Sequence, residues 1–179
     1  MALKPTIFKL NISLSDLDRN HYDTLNLTIA QHPSETVERV MARVLAFCIH
    51  AQEHLAFSKG LSDVDEPSIW AKTLDGQTSL WIDVGEPAVD RIKKATRVAQ
   101  QVCVYSFNSK SDVWWDQSKD AFGKLSASLY RFNHEEIQAL AGLLERTMDL
   151  SVTISGESAY VAAALGEQEV HWEQLQAHE

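Results

Sequence analysis

Apolar and polar residues alternate in two stretches near the start of the chain. The first stretch covers residues 7–12 and the second covers residues 25–29. A period of two is typical of strands that bury only one face. The polar run SDLDRNHY lies between the two stretches and supplies a turn. We therefore predict a hairpin with one face against a core and the other in water.

The next element changes from a period of two to helical spacing. Apolar residues recur at intervals of three and four positions from Val37 to Leu55. Ser34 follows Pro33, and a serine at this point can cap a helix. We predict a long amphipathic helix that begins after Ser34 and reaches Leu55. An acidic loop over residues 56–66 is expected to follow it.

The middle of the chain predicts a second hairpin that leads into a βαβ unit. Strand patterns over residues 69–73 and 80–84 flank Asp75-Gly76, a dipeptide that favours a tight hairpin turn. Pro87 suits the first turn of a short helix. Residues 102–107 form an apolar run without alternation, which is typical of a strand buried on both faces. The two buried strands are therefore expected to be parallel, with a right-handed helical crossover.

The remaining pattern continues the alternation of helices and strands. Asn133 has capping-box spacing ahead of an apolar helical stripe. The tail, residues 167–179, alternates weakly and fits either a strand or a helix. Further elements are predicted as a helix over residues 112–122 and strands over residues 126–132, 150–155 and 160–164. We therefore predict a single α/β domain over residues 1–179, with a mixed β-sheet and flanking helices.

Charge composition limits the kinds of partner that the surface can bind. The chain of 179 residues has 16 Lys and Arg against 25 Asp and Glu, a formal net charge of −9. A protein that grips nucleic acid with its whole surface would be basic. The composition still allows a local basic patch, or a site where metal ions neutralise the acids.

Apolar runs and cysteines indicate the expected compartment. Lys4 and Lys9 interrupt the apolar residues at the start, so this segment does not resemble a signal peptide. No apolar run approaches the length of about 18 residues that a membrane span needs. Cys48 and Cys103 each lie in an apolar pattern and are expected to be reduced core residues. We therefore expect a cytoplasmic protein without a membrane segment.

One carboxylate interrupts an otherwise apolar strand. Asp83 lies in the run SLWIDVG, near the C-terminal end of the first parallel strand. Open α/β sheets bind ligands at this edge. A buried carboxylate takes up a proton, pairs with a cation or binds a metal. Several interpretations stay open. Asp83 could form a ligand site, or it could be hydrogen-bonded to the start of the next helix. It could also be buried and paired with Arg91 or Lys94, which lie three residues apart on one helix face.

Three other acids are candidates for the same chemistry. Glu38 lies at the edge of the apolar stripe of the first long helix, whereas Glu35 is rotated further away. The alternative is that Glu38 only favours the positive end of that helix, without any further role. Asp63 and Asp65 are two residues apart in the acidic loop and would project to the same side of an extended chain. A solvated surface is the alternative for these loop acids.

Five segments of the chain are long and unusual: HPSETVERVMARVLAF, GLSDVDEPSIW, LWIDVGEP, RIKKA and VYSFNS. Together they resemble the YaeQ family of bacterial proteins. The resemblance covers essentially the whole chain, and it implies a variation on the PD-(D/E)XK nuclease fold. That fold uses a helix Glu, an Asp near a hairpin, and a strand acid followed two residues later by Lys.

This resemblance implies a site and two possible functions. Glu38, Asp65 and Asp83 are the expected Mg²⁺ ligands, and the bound ion would activate water for attack on a phosphodiester. Gly85 stands where the family fold has its Lys, so Lys94, with Arg91 and Lys93 behind it, is expected to supply the basic group. The first function is a Mg²⁺-dependent nuclease-like enzyme acting on nucleic acid. The second is a non-catalytic binding or regulatory module whose protein partner is left open.

Overall fold

The computed structural model describes residues 4–58 and 65–177. The chain divides into two compact units, the first formed by Met1–Ile49 and Asn133–Trp172 and the second by His50–Phe132 and Glu173–Glu179. The strands are β1 (Thr6–Asp16), β2 (His21–Gln31), β3 (Leu55–Phe57), β4 (Ile69–Lys72), β5 (Thr78–Val84), β6 (Ala99–Ser106), β7 (Ser128–Phe132), β8 (Thr147–Ser155), β9 (Ser158–Ala163) and β10 (Gly166–Gln176). The helices are α1 (Val37–Ile49), α2 (Val89–Val98), α3 (Ser111–Phe122) and α4 (His134–Ala141).

The first unit is built on the hairpin that the alternating pattern predicts. β1 and β2 pair antiparallel, with Ile12 opposite Leu25, and the hairpin is longer than predicted. The apolar residues Phe8, Leu10, Ile12 and Leu14 of β1 are buried, whereas the residues between them are exposed. β1 also pairs with β8 in parallel, and β8, β9 and β10 continue as antiparallel neighbours. The tail is therefore a strand, which settles the alternative that the sequence leaves open.

Helix α1 begins later and ends earlier than the sequence predicts. Thr36 Oγ1 accepts a hydrogen bond from the backbone N–H of Arg39 at 3.2 Å, so Thr36 caps the helix. The Ser34 hydroxyl instead lies 2.7 Å from Nδ1 of His32. The helix ends at Ile49, and Leu55 is a buried residue of β3. The apolar spacing beyond Ile49 therefore reflects a buried Ala51 outside any helix or strand and a buried Leu55 on β3, and not a continuing helix.

The second unit contains the predicted central hairpin and the βαβ unit. β4 and β5 pair antiparallel around the Asp75-Gly76 turn, where Gly76 has a φ of +85°. β5 and β6 are parallel and α2 connects them, and β6 also pairs in parallel with β7. The core on one side of these strands is formed by Trp81, Ile92, Ala95, Val102, Val104, Phe122, Ala127 and Leu129. This packing holds α2 against the strand that contains Asp83.

The predicted mixed α/β architecture is confirmed by these pairings. Asn133 caps α4 as predicted, because its Oδ1 accepts from the backbone N–H of Glu136 at 3.0 Å. Cys48 and Cys103 are both buried and free, as expected, and burial raises the pKa of each thiol to about 12. Within the described ranges, no helix is long and apolar enough to cross a membrane.

Candidate functional site

Asp83 is a buried carboxylate whose two oxygens are both bound by one arginine. Asp83 lies on β5, and the residue is 4% exposed. Arg91, in the first turn of α2, donates from Nε to Oδ2 at 2.8 Å and from Nη2 to Oδ1 at 3.1 Å. Two parallel N–H···O bonds of this kind match the planar guanidinium to a carboxylate. The cation that pairs with Asp83 is thus Arg91, one of the two that the sequence leaves open.

Further contacts fix the position of Arg91. Its Nη2 donates to the backbone carbonyl of Glu66 at 2.7 Å, and its guanidinium carbon lies 5.7 Å from the ring centre of Trp81. The Arg91 side chain remains 30% exposed. A guanidinium engaged by a carboxylate, a carbonyl and an aromatic ring has little freedom to reorient. Arg91 therefore positions the start of α2 against β5.

A magnesium ion at Asp83 would compete with Arg91 for the carboxylate oxygens. Mg²⁺ demands a near-octahedral set of oxygens, and both oxygens of Asp83 are already hydrogen-bonded to a cation. Across residues 4–58 and 65–177, no three His, Cys, Asp or Glu side chains form a group that could hold a metal ion. Asp63 lies outside these ranges. The assignment of Glu38, Asp65 and Asp83 as Mg²⁺ ligands stays a prediction.

The other predicted site residues occupy both units. Glu38 is half-buried on α1, in the first unit. Asp65, Arg91 and Lys94 belong to the second unit and line one pocket together with Trp81 and Val98. The structure therefore brings three of the predicted residues to a single cavity, and Asp83 joins them through its salt bridge to Arg91.

A second carboxylate, Glu86, follows the end of β5 and accepts hydrogen bonds from groups at the end of β6. Its Oε2 accepts from the Ser106 hydroxyl at 2.8 Å and from the backbone N–H groups of Phe107 at 3.1 Å and Asn108 at 3.4 Å. The side-chain amide of Asn108 donates to Oε1. The Glu86 carboxylate thus satisfies the hydrogen-bond donors at the end of β6 and directly after it. Sequence reasoning missed Glu86, although its place two residues after the end of a buried strand was an available signal.

Gly85 has a conformation that explains why no lysine stands there. Its φ is +130°, a value that L side chains rarely adopt, although an added Cβ would meet nothing within 4 Å. Its N–H donates to the carbonyl of Tyr105 at 2.8 Å. The backbone turns here from β5 toward Glu86. The conformation of the strand end therefore favours glycine here over the lysine that the resemblance implies.

Helix α2 presents cations on two of its sides. Arg91, Lys94 and Val98 are spaced by three and four residues and face the pocket. Lys93 and Arg97 are four residues apart and exposed on a neighbouring side. This small segment concentrates positive charge in a chain that is acidic as a whole.

The first unit contains a buried ionic cluster that sequence reasoning missed. Glu35 accepts from Nε and Nη2 of Arg43, both at 2.8 Å, and it also pairs with Arg39. Arg43 Nη2 donates further to the carbonyl of Ala30 at 2.9 Å. Burial lowers the pKa of Arg43, and the charge of Arg39 adds to this effect, while Glu35 opposes it. The cluster ties the start of α1 to the end of β2 and has a structural role.

The fold and the site define a mixed α/β protein whose buried strand carboxylate is neutralised by an arginine of the following helix. The family model for the YaeQ protein matches residues 1–172, and the chain belongs to this family. It is 37% identical to YaeQ of Salmonella typhi over 97% of this chain and 99% of the relative. It is 39% identical to YaeQ of Escherichia coli strain K12 over 86% of each chain.

Solved structures of two bacterial relatives agree with this assignment. The crystal structure of YaeQ from Xanthomonas axonopodis pv. citri matches with a TM-score of 0.93 at 33% identity, over 97% of this chain and 99% of the other. YaeQ from Pseudomonas syringae matches with a TM-score of 0.92 at 35% identity, over 97% of both chains. The resemblance expected from the sequence segments is therefore confirmed at the level of the family.

Proposed function

We propose that the protein is a non-catalytic binding module on a variation of the PD-(D/E)XK nuclease fold, and that it contacts nucleic acid phosphates through α2. The observation on which this rests is the salt bridge between Asp83 and Arg91, in which both carboxylate oxygens are engaged. A metal-dependent nuclease needs carboxylate oxygens that converge on an ion. Here a fixed guanidinium supplies the positive charge instead.

The conformation at Gly85 supports the same conclusion. In the nuclease pattern a lysine two residues after the strand acid helps to activate water or to stabilise the developing charge. A φ of +130° disfavours any such side chain at this position. Lys94 is the predicted substitute, and it lines the pocket beside Arg91. A lysine there can attract a phosphate without a metal-bound water to activate.

The exposed side of α2 supports phosphate binding. Lys93 and Arg97 are exposed there, and the acidic residue on this helix is Asp90. Contacts of Lys and Arg with phosphates release counterions, so such binding weakens steeply as salt rises. Two or three contacts predict weak binding that is measurable at low ionic strength and lost at high ionic strength.

A binding and cleavage assay tests this proposal. Fluorescence anisotropy would follow labelled single-stranded DNA, duplex DNA and RNA over a series of salt concentrations, with Mg²⁺ present and gel analysis of each mixture. We expect binding without cleavage. Lys93→Gln with Arg97→Gln should weaken it about tenfold and lower the salt slope by about 2. The matched control is Lys119→Gln with Lys124→Gln, two exposed lysines of the same unit.

Two results would contradict the proposal, and each would contradict a different part of it. Equal losses of nucleic acid affinity in the two double variants, or no binding at low salt, would contradict the role of α2 in binding. Cleavage that requires Mg²⁺ and disappears in Asp83→Asn would show an enzyme, the alternative that the family resemblance implies.

A further inference from the structure

Strand β2 is a long edge strand whose greater part carries no charge. It has 11 residues, and among the described strands it pairs with β1 alone. An edge strand presents unpaired backbone N–H and C=O groups, which proteins usually protect with charged residues, proline or a covering segment. Residues 24–31, TLNLTIAQ, contain no charged residue, no proline and no glycine. The outer edge of β2 is therefore suited to pair with a further strand.

The register of the hairpin shows which backbone groups of β2 point away from β1. Lys9 of β1 lies opposite Thr28, and the Lys9 N–H donates to the carbonyl of Arg146 at 2.8 Å, on the side of β8. Opposite residues in an antiparallel ladder either exchange both hydrogen bonds or both point their backbone groups outward. Thr28 therefore points its N–H and C=O outward, and the same holds for every second residue of β2.

Side chains of the protein already satisfy two of these outward groups. The N–H of Thr24 donates to Oδ1 of Asp23 at 2.8 Å. The C=O of Ala30 accepts from Nη2 of Arg43 at 2.9 Å. Thr24 and Ala30 both have the parity of Thr28, so these contacts agree with the direction derived from the ladder. They also mark the two ends of the free part of the edge.

Between these ends lie the outward groups of Asn26 and Thr28. Both residues are exposed, and in the ranges that the structure describes their backbone N–H and C=O have no hydrogen-bond partner. The two residues are placed symmetrically about Leu27. A second β2, related by a two-fold axis at Leu27, would set Asn26 opposite Thr28 and pair every one of these groups.

The satisfied groups favour a second copy over an unrelated peptide. In this register Thr24 of one copy lies opposite Ala30 of the other. The Thr24 N–H and the Ala30 C=O then face each other, and both already have partners within their own chain. The remaining groups of that pair, the Ala30 N–H and the Thr24 C=O, are free to bond. An unrelated strand would instead bring a further donor and acceptor to groups that are already engaged.

The side chains at the axis are apolar. Leu25 and Leu27 are half-buried and lie opposite Ile12 and Leu10 of β1, which are 0% and 2% exposed. In the paired arrangement Leu27 lies directly opposite Leu27 of the second copy, at the close spacing of a pair without hydrogen bonds. The apolar side of the hairpin thereby continues across the axis and loses exposed surface.

We propose that β2 forms an antiparallel ladder with β2 of a second copy of this chain, about a two-fold axis at Leu27. Pairing of one strand edge lies at the low end of interface sizes, so the dimer is weak, with a dissociation constant of about 100 μM. The inference goes beyond nucleic acid binding and does not depend on it, because β2 belongs to the first unit and α2 to the second.

Sedimentation equilibrium of the full chain tests the proposal, with loading concentrations from about 10 μM to about 1 mM that bracket the expected constant. Thr28→Pro removes an outward N–H without removing a bond to β1, a position at which an edge strand accepts proline. It should weaken dimerisation at least about tenfold. Thr28→Val, which keeps the N–H, is the matched control and should stay within about twofold of the wild type. Circular dichroism checks that both variants fold.

A second variant keeps the test decisive if Thr28→Pro does not fold. Asn26→Lys combined with Thr28→Lys places like charges opposite each other across the axis, and it should also weaken dimerisation at least about tenfold. Its neutral control is Asn26→Gln combined with Thr28→Val.

Amide hydrogen exchange locates the contact. The amides of Asn26 and Thr28 should exchange more slowly as the protein concentration rises, whereas the amide of Leu27, which points toward β1, should not change. A protein that stays monomeric up to about 1 mM would overturn the proposal and leave an extended peptide as the remaining occupant. A dimer that forms equally well in the lysine variant and in its neutral control would also overturn it.

Discussion

Arg91 binds both carboxylate oxygens of Asp83, through hydrogen bonds of 2.8 Å and 3.1 Å. The two residues are eight positions apart and belong to β5 and α2, so the salt bridge fastens the crossover helix to the first parallel strand. Removing the guanidinium leaves a charge inside the protein, where its desolvation is no longer offset. Stability and ligand chemistry at this edge therefore depend on the same pair.

Arg91→Gln is expected to destabilise the protein strongly. Breaking a buried ion pair costs about 3–5 kcal/mol, and the exposure of Arg91 places the loss near the lower end. Arg97→Gln, a change of the same type on the exposed side of α2, should stay within about 0.5 kcal/mol of the wild type. Urea unfolding followed by circular dichroism measures both values.

A second change at Asp83 separates the ion pair from other effects. Asp83→Asn removes the charge that Arg91→Gln leaves unpaired. The double variant should therefore lose less unfolding free energy than the sum of the two single losses, by about 1 kcal/mol or more. Strictly additive losses would mean that the two side chains act independently.

Gly85 should resist both alanine and the lysine of the nuclease pattern. Either side chain must adopt the φ of +130° or force the strand end to move. Such strain costs about 1–3 kcal/mol. Thermal unfolding of Gly85→Ala and Gly85→Lys measures this loss, and a cleavage assay of Gly85→Lys with Mg²⁺ should show no gain of activity. A stable Gly85→Lys variant that cleaves nucleic acid would refute this explanation.

Glu35 should matter far more for stability than Glu38, three residues further along. Glu35→Gln leaves Arg43 and Arg39 without their shared counter-charge in a buried setting, with an expected loss of about 3–5 kcal/mol. Glu38 is half-buried, and Glu38→Gln should stay within about 0.5 kcal/mol. Equal losses of unfolding free energy for Glu35→Gln and Glu38→Gln in urea would contradict the distinction between the buried cluster and the predicted metal ligand Glu38.

The two buried cysteines should make the protein less stable at high pH. Burial raises the pKa of each thiol from 9.0 to about 12, so the unfolded chain loses these protons first. Stability from each thiol is present below pH 9 and falls between pH 9 and 12, by about 1.4 kcal/mol per pH unit. Cys48→Ala and Cys103→Ala should each have a shallower decline than the wild type. Parallel curves above pH 9 would contradict the shifted pKa values.

The elements that the sequence predicts well have local signals. The Asp75-Gly76 turn and the apolar runs beside it are enough to place β4 and β5, and the two buried runs around α2 predict their parallel pairing. Helix α1 shows the limit of such signals. Ser34 and Thr36 are both hydroxyl residues near its start, and only the backbone geometry makes Thr36 the cap.

The site depends on contacts that no local pattern encodes. Arg91 and Lys94 lie on the same side of α2, and the reach and planarity of the guanidinium decide that Arg91 meets Asp83. Glu35 lies off the apolar stripe in sequence, yet two arginines allow it to be buried. Glu86 is held by groups about twenty residues further along the chain. Such pairs follow from the tertiary fold and not from spacing.

Manganese binding tests the central claim that Arg91, and not a metal ion, is the cation that neutralises Asp83. Electron paramagnetic resonance of Mn²⁺ would be recorded with the wild type and with Asp83→Asn, Asp65→Asn and Glu38→Gln. We predict that the free Mn²⁺ signal decreases equally little in all four proteins at millimolar metal. Saturable binding by the wild type that Asp83→Asn abolishes, and that the other two variants weaken, would contradict the claim and establish the metal site.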